Sequence, residues 1–171
     1  VGDAILGYEL TLTLPAELAL VMTVAESGHL VVEDRRAAVT LSTQHGDLRL
    51  MRCQGAARIH TGRGMTIVYD HRGQIDVESG VGDQQVVVRE PGPLLRLVTG
   101  IGNVQCLVPP DAGFRLDART ESGRLANGFG FVKERLSGQG AARSGSHGDG
   151  RTEIVMRAGT GFLSLSYKTF E

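Results

Sequence analysis

The sequence predicts an all-β fold, a single-domain parallel β-solenoid (β-helix) of about seven to eight rungs with 18–21 residues each. Glycines recur at nearly even spacing in short polar turns. Between them, apolar and polar residues alternate with the period of β-strands, and no window has the spacing of an amphipathic helix. We call the recurring residues the comb glycines: Gly28, Gly46, Gly64, Gly82, Gly102, Gly123 and Gly161.

The composition is typical of one globular, turn-rich domain over residues 1–171. The chain has 171 residues, of which 41% are hydrophobic and 24 are glycine, so it is long enough to bury a substantial core. The net charge of −1 favours neither nucleic acid nor an anionic membrane. Aromatic residues are scarce, which argues against a surface that stacks bases. No apolar run is long enough for a transmembrane helix. We expect no nucleic-acid partner and no transmembrane segment.

The first predicted strand covers residues 8–14, where apolar and polar side chains alternate strictly. Pro15 ends it, because proline cannot donate to a continuing ladder. Residues 20–24 and 29–33 are the next strands, separated by a turn that ends at Gly28. A unit of strand, glycine turn and strand cannot bury its apolar face alone, so stacking of successive units follows.

Alignment on the comb glycines shows what the repeats share. The position seven residues before the glycine is aliphatic: Val21, Val39, Ala57, Ile75, Leu95, Leu116 and Ile154. The position five before is mostly aliphatic: Thr23, Leu41, Ile59, Val77, Leu97, Ala118 and Met156. The position three before is small or hydroxylated: Ala25, Thr43, Thr61, Ser79, Thr99, Thr120 and Ala158. We expect these columns to face inward.

A polar column lies six residues before the comb glycines. It contains Arg58, Asp76, Arg96 and Asp117 in successive repeats. If the rungs stack in register, these four side chains form an alternating charge ladder on the outer surface. We interpret the ladder as a device that specifies register; a ligand-binding stripe is the alternative.

The regularity fails over residues 124–150, which we interpret as an irregular loop inserted in one rung. Phe129 and Phe131 precede the charged residues Lys133 and Arg135, and a segment rich in glycine, serine and alanine follows. Long loops in compact folds are often functional. We expect this one to cap the core or to contact a partner.

No reactive cluster stands out, so we expect no catalytic residue, no cofactor and no metal. The Gly-x-Gly pairs fall at one phase of the repeat with no helix after them, which favours turns over phosphate loops. Asp47 and Asp83 follow comb glycines, yet Met65 interrupts the column that a calcium cage would need. Cys53 and Cys106 form no Cys-x-x-Cys pair.

The turns resemble those of the bacterial putative-adhesin family (domain of unknown function 4097). The resemblance lies in the segments Thr43-Gln44-His45-Gly46-Asp47, Thr99-Gly100-Ile101-Gly102-Asn103 and Thr120-Glu121-Ser122-Gly123, and in Asn127-Gly128-Phe129-Gly130 with the glycine-rich stretch after it. It covers nearly the whole chain, with Met65 and Phe162 as departures. It implies a parallel β-solenoid, often on cell-surface or membrane-anchored proteins, and it transfers no catalytic residues.

We therefore expect a non-enzymatic, extracytoplasmic interaction or assembly module. Its partner would be another protein or further copies of itself, with a cell-surface glycan as a further possibility. We expect residues 8–14 and 161–169 to form the two ends of the stack, where uncovered strand edges invite strand addition and end-to-end filaments. The expected contact residues are the loop residues above together with Tyr8, Leu10, Leu12, Leu163, Leu165 and Tyr167. The alternatives are a sugar-binding module and a β-helical enzyme acting on carbohydrate through Asp76 and Glu78.

Overall fold

The computed structural model describes residues 12–130, 133–135 and 140–170. Within these ranges there is no helix, and twelve strands form one sheet, which confirms the all-β prediction. The strands are β1 (Leu20–Ser27), β2 (Leu30–Glu33), β3 (Val39–His45), β4 (Leu48–Met51), β5 (Ala57–Arg63), β6 (Thr66–Val81), β7 (Gln84–Ile101), β8 (Val104–Val108), β9 (Phe114–Asn127), β10 (Lys133–Arg135), β11 (Ala141–His147) and β12 (Thr152–Tyr167).

Most strands run parallel to the corresponding strand of a neighbouring repeat. The path through the sheet is β1-β3-β5-β6-β7-β8-β12-β9-β11-β10, and β2 joins it through β4 and β6. Val39 lies beside Ala57, and Ala57 lies beside Ile75. The repeat read from the glycine spacing therefore sets the pairing register, since residues at one phase of the repeat lie side by side.

The two aliphatic columns form the core from the second repeat onward. Their side chains are buried and belong to one hydrophobic cluster: Val39, Leu41, Ala57, Ile59, Ile75, Val77, Leu95, Leu97, Leu116, Ala118, Ile154 and Met156. Alternate residues of the strands that follow the glycines, such as Leu48 and Val86, complete it. Burial of each large aliphatic side chain contributes roughly 1.5–3 kcal/mol.

The first repeat departs from the predicted register. Leu20 and Met22, not Val21 and Thr23, lie beside Val39 and Leu41. The pairing shifts between Val24 and Ser27, so one extra residue in the turn moves every side chain before it to the opposite face. Val21 is consequently 75% exposed.

The largest correction concerns β12. We expected residues 161–169 to form an end of the stack, but β12 lies inside the sheet between β7 and β9. Arg96 therefore neighbours Val155, and Val155 neighbours Asp117, so the predicted contact between Arg96 and Asp117 is wrong. The chain order of the repeats is not their spatial order, because the last strand inserts between two earlier ones.

The segment read as an irregular loop over residues 124–150 also contains regular structure. Strand β9 continues to Asn127, and β11 pairs antiparallel with β9 from Ala141 beside Thr120 to His147 beside Phe114. The small residues of β11 have little intrinsic strand preference, and pairing with the exposed edge of β9 overrides that preference.

Candidate interaction surfaces

The comb glycines stack on one another through their backbones. Gly82 has a φ of +151° and its N–H donates to the Ile101 carbonyl at 2.8 Å. A Cβ at Gly82 would approach the carbonyl oxygen of Gly64 well inside the 3.0 Å that real Cβ atoms keep. Only glycine fits such a turn. The same contacts give the spatial order Gly102, Gly161, Gly123, which agrees with the insertion of β12.

The polar residues after the comb glycines link one turn to the next. The side-chain oxygen of Asp47 accepts the Met65 N–H at 2.9 Å, and that of Asp83 accepts the Asn103 N–H at 2.7 Å. Asn103 in turn accepts the Phe162 N–H at 3.0 Å. Across the described ranges, no group of three or more His, Cys, Asp or Glu side chains could hold a metal ion. These side-chain oxygens hold successive turns together by accepting backbone N–H groups.

The hydroxylated column lies inside the turns. Thr43, Thr61, Ser79, Thr99 and Thr120 are all buried. Their hydroxyl groups are satisfied locally: the hydroxyls of Thr61 and Thr66 lie 3.1 Å apart, and the side-chain amide of Gln84 donates to Ser79 at 2.8 Å. Since a buried hydroxyl without a partner is costly, this column is a structural support for the turns.

The outer charged column begins as predicted. Arg58 lies beside Asp76, and Asp76 lies beside Arg96. The Arg96 guanidinium contacts the Asp76 carboxylate at 2.8 Å and the Glu78 carboxylate at 2.6 Å. These hydrogen bonds, with that to Asp76 the strongest influence, raise the pKa of Arg96. Both carboxylates are thus compensated by one cation.

Asp117 has a different partner from the one expected. It pairs with the guanidinium of Arg157, a residue of β12. Arg157 also donates to the main-chain carbonyl of Asp117 at 2.8 Å. The inserted strand therefore supplies the cation that we had assigned to the preceding repeat.

The predicted contact residues do not form one surface. Leu163 and Leu165 are buried in the core, because β12 is an interior strand, and their assignment to a contact surface is wrong. Leu12 and Tyr167 are more than half exposed. Lys133 and Arg135 belong to β10 at the sheet edge. Tyr8, Leu10 and Phe131 lie outside the described residues.

Phe129 packs into an aromatic cluster that closes one end of the core. Its ring centroid lies 4.9 Å from that of the fully buried Phe114 and 4.8 Å from that of His147. Tyr167 approaches from outside, with its ring centroid 6.2 Å from that of Phe129. Edge-to-face contacts of this kind add to the burial of the rings. Phe129 thus caps the core, one of the two roles we expected for it.

A set of exposed apolar side chains borders four of the comb glycines, and sequence reasoning missed it. We call it the turn ridge: Met65, Val81, Ile101 and Phe162, which are 38%, 37%, 56% and 41% exposed. Val81 and Ile101 are register neighbours. The sequence does contain a signal for this surface, because these four positions are apolar where the other turns have mostly polar residues.

The fold has a distant likeness among solved structures. The chain is similar to a solved structure from Clostridium sporogenes ATCC 15579, a putative cell adhesion protein, with 9% identity, 90% of this chain and 93% of that chain covered, and a TM-score of 0.45. No protein-family model matches, and no curated protein matches. Within the described residues, no helix has the length and hydrophobicity to cross a membrane.

Proposed function

We propose that the chain is a parallel β-solenoid of the putative-adhesin family and acts as a non-enzymatic, extracytoplasmic interaction module. The support for the solenoid is the stack of comb turns, in which each glycine covers the carbonyl of its spatial neighbour. The spacing of these contacts repeats along the sheet, so each repeat is one rung. The seven comb turns would then mark seven rungs.

The observation that carries the interaction role is the turn ridge. Four large apolar side chains project from backbone-bonded turns that have little freedom to rearrange, so little backbone entropy is lost in presenting them. Arg63 lies beside Val81, Asp83 stands in the same column as Met65, and both charged residues are exposed. An apolar strip with mixed charges beside it is the composition of a protein-binding surface. The partner class is therefore another protein.

The carbohydrate-active alternative has less support. Asp76 and Glu78 share the Arg96 guanidinium, whereas a general acid needs surroundings that favour its neutral form. Glycosidases also hold two carboxylates apart across a bound sugar. A sugar-binding module would use exposed aromatic faces; on the ridge only Phe162 offers one.

Binding of labelled protein to intact bacterial cells tests the proposal. We expect saturable binding that is sensitive to prior protease treatment of the cells. The double variant Ile101→Asp/Phe162→Asp should lose at least about tenfold in affinity, since each exposed apolar anchor contributes about 1 kcal/mol or more. Arg58→Ala, on the outer charged column, is the matched surface control and should bind normally.

Two results would contradict the proposal. Equal binding by the ridge variant and the Arg58→Ala control would exclude the ridge as the contact surface. Turnover in a polysaccharide panel that is abolished in Asp76→Asn and Glu78→Gln would establish the enzyme alternative. Cell fractionation with compartment markers tests the extracytoplasmic location; recovery in the cytosol alone would exclude it.

A further inference from the structure

The turns of six neighbouring repeats present two columns of side chains, one before and one after the comb glycines. All of these side chains are exposed or half-buried. The register of the ladder fixes the order in the column before the glycines, because each residue lies beside the next. In spatial order this first column is His45, Arg63, Val81, Ile101, Thr160 and Ser122.

The column after the glycines follows the same order of turns. Side-chain oxygens bond from one turn to the next, and the last two residues of the column lie side by side in the ladder. In spatial order this second column is Asp47, Met65, Asp83, Asn103, Phe162 and Arg124. The turn ridge is therefore divided between the two columns, with two of its residues in each.

The columns are self-complementary about the point halfway between the turns of Val81 and Ile101. These two apolar residues lie on either side of that midpoint in the first column. One turn farther out on each side, the second column has Met65 and Phe162, which are also apolar. A twofold axis through the midpoint, perpendicular to the stack, would therefore bring apolar side chains onto apolar side chains.

The charges obey the same symmetry. The third turn on one side of the midpoint has Asp47 in the second column, and the third turn on the other side has Arg124. The Asp47 side chain is 41% exposed, while Arg124 is exposed and forms no ion pair within the described ranges. Next to the midpoint, the axis sets the Asp83 carboxylate against the Asn103 amide, which can donate to it. One axis thus pairs opposite charges and also an acceptor with a donor.

We propose that a second copy of this chain occupies the turn ridge, with the two stacks running antiparallel about this twofold axis. Val81 faces the partner's Ile101, and Met65 faces the partner's Phe162. The axis repeats each contact, as an isologous interface requires. The inference rests on the proposed function, because it uses the same surface, and it identifies the protein partner as the chain itself.

Other arrangements of two ridges fit worse. A twofold axis along the stack would set Val81 against the partner's Asp83 and Ile101 against the partner's Asn103. A shift of the antiparallel pair by one turn would set Met65 against the partner's Asn103. Each of these arrangements buries polar groups against apolar side chains, which is costly when no hydrogen bond compensates. The pattern of residues therefore selects both the orientation and the register.

The contact is narrow, so the dimer is a weak one. Six turns at a rung spacing of about 4.8 Å span roughly 24 Å, and each column is one side chain wide. Interfaces below about 1,200 Å² are typical of transient complexes. We therefore expect dimerisation to become visible in the upper part of a concentration series that reaches the millimolar range.

The test is sedimentation equilibrium of the full chain over such a series. Wild type is expected to move from the monomer mass to twice that mass. Arg124→Asp sets two carboxylates against the partner's Asp47 at both ends of the contact, so it should weaken the dimer at least about tenfold. Arg63→Asp makes the same change of charge on the same surface but faces the partner's Thr160. It is the matched control and should dimerise like wild type.

A mixture of two variants tests the pairing itself. Asp47→Arg sets two cations against the partner's Arg124 and should also weaken the dimer at least about tenfold. In an equimolar mixture of Asp47→Arg and Arg124→Asp, both ion pairs re-form with reversed polarity, so heterodimers should appear at wild-type concentrations. Asp47→Arg loses the bond to the Met65 N–H, so circular dichroism melts establish first that it folds; the comparison of Arg124→Asp with Arg63→Asp does not depend on it.

The outcomes separate this inference from the proposed function. A monomer at every concentration, or equal dimerisation of Arg124→Asp and Arg63→Asp, would overturn the inference. If the protein is monomeric and its binding to cells still depends on the ridge, the ridge binds a different protein and the proposed function stands. If the protein dimerises as described but the ridge variant binds cells as well as Arg58→Ala does, only the proposed function is refuted.

Discussion

Replacing Gly82 by alanine should strongly destabilise the protein. Gly82 has a φ of +151°, which residues other than glycine rarely adopt. Its added Cβ would meet the carbonyl oxygen of Gly64, which belongs to the backbone of the neighbouring turn and cannot rotate away. Relief requires the two turns to separate, and the 3.0 Å bond from the Gly64 N–H to the Val81 carbonyl limits that movement.

The magnitude follows from two contributions. An unfavourable backbone conformation costs about 1–3 kcal/mol. Overpacking against a fixed neighbour costs about 1–3 kcal/mol more. For a chain of this size each kcal/mol lowers the melting temperature by about 2–4 °C, so we expect Gly82→Ala to melt roughly 5–20 °C below wild type.

Two other glycines provide controls for this substitution. At Gly28 an added Cβ would lie 3.2 Å from the Val24 Cγ1, a side-chain atom that can move, so little loss is expected. Gly130 has a φ of +73° with no atom within 4 Å of its Cβ position, so alanine there tests backbone strain alone. In thermal melts followed by circular dichroism, the decrease in melting temperature should be largest for Gly82→Ala, smaller for Gly130→Ala and smallest for Gly28→Ala. If Gly82→Ala and Gly28→Ala have the same melting temperature, the close packing of successive turns does not explain the need for glycine at position 82.

Two predictions concern buried titratable side chains. Burial lowers the pKa of His71 from its ordinary 6.5, despite the 3.0 Å contact of its Nε2 with the Gly55 carbonyl. The contribution of neutral His71 to stability is therefore complete above pH 6.5 and is lost as the pH falls from there through the lowered folded pKa. The free energy of unfolding in urea should thus decrease with falling pH over this range. His71→Gln should reduce that dependence on pH, and an unchanged dependence would contradict the prediction. Burial also raises the pKa of the Cys106 thiol to about 12 and that of Cys53 above its ordinary value. Neither thiol should therefore react with a disulfide reagent until the protein is unfolded in urea. Fast labelling of the native protein would contradict their burial.

The glycine spacing predicted the register wherever one repeat follows the next without a change in length. Val39, Ala57 and Ile75 lie side by side because each repeat returns to the same phase. One extra residue before Gly28 was enough to reverse the faces of β1, since strand side chains alternate with a period of two. No local pattern marks that insertion, because Val21 and Leu20 are equally suited to the core.

The repeat pattern could not predict that β12 inserts between β7 and β9. Ile154 and Met156 fit the aliphatic columns equally well after β9 or before it. The spatial order depends on which neighbour leaves fewer backbone groups unpaired, and that is a property of the whole sheet. The turn ridge was missed for a related reason: Ile101 and Phe162 are ordinary strand residues whose exposure depends on the geometry of the turn.

Because β12 lies between β9 and the strands β7 and β8, β9 needs β12 in order to pack on the rest of the sheet. β12 joins β7 and β8 on one side to β9 on the other. A chain that ends at Gly150 would lose four large buried apolar side chains: Ile154, Met156, Leu163 and Leu165. At roughly 1.5–3 kcal/mol each, their loss of about 6–12 kcal/mol is comparable to the whole stability of a typical domain.

We therefore expect the chain ending at Gly150 to lose cooperative unfolding and to expose residues 114–147 to limited proteolysis. A chain ending at Tyr167 retains every described strand and is the control. It loses the 3.0 Å bond from Lys168 to the Tyr69 hydroxyl, the 2.9 Å main-chain bond from Lys168 to Val108 and the contact of Arg89 with the Phe170 ring, and it should melt only a few degrees below wild type. If the shorter chain instead unfolds cooperatively near the wild-type temperature, β9 must have docked directly on β7 and β8. In that arrangement Asp117 would lie beside Arg96, the register that the order of repeats in the sequence predicts, and β12 would be a replaceable layer of the sheet.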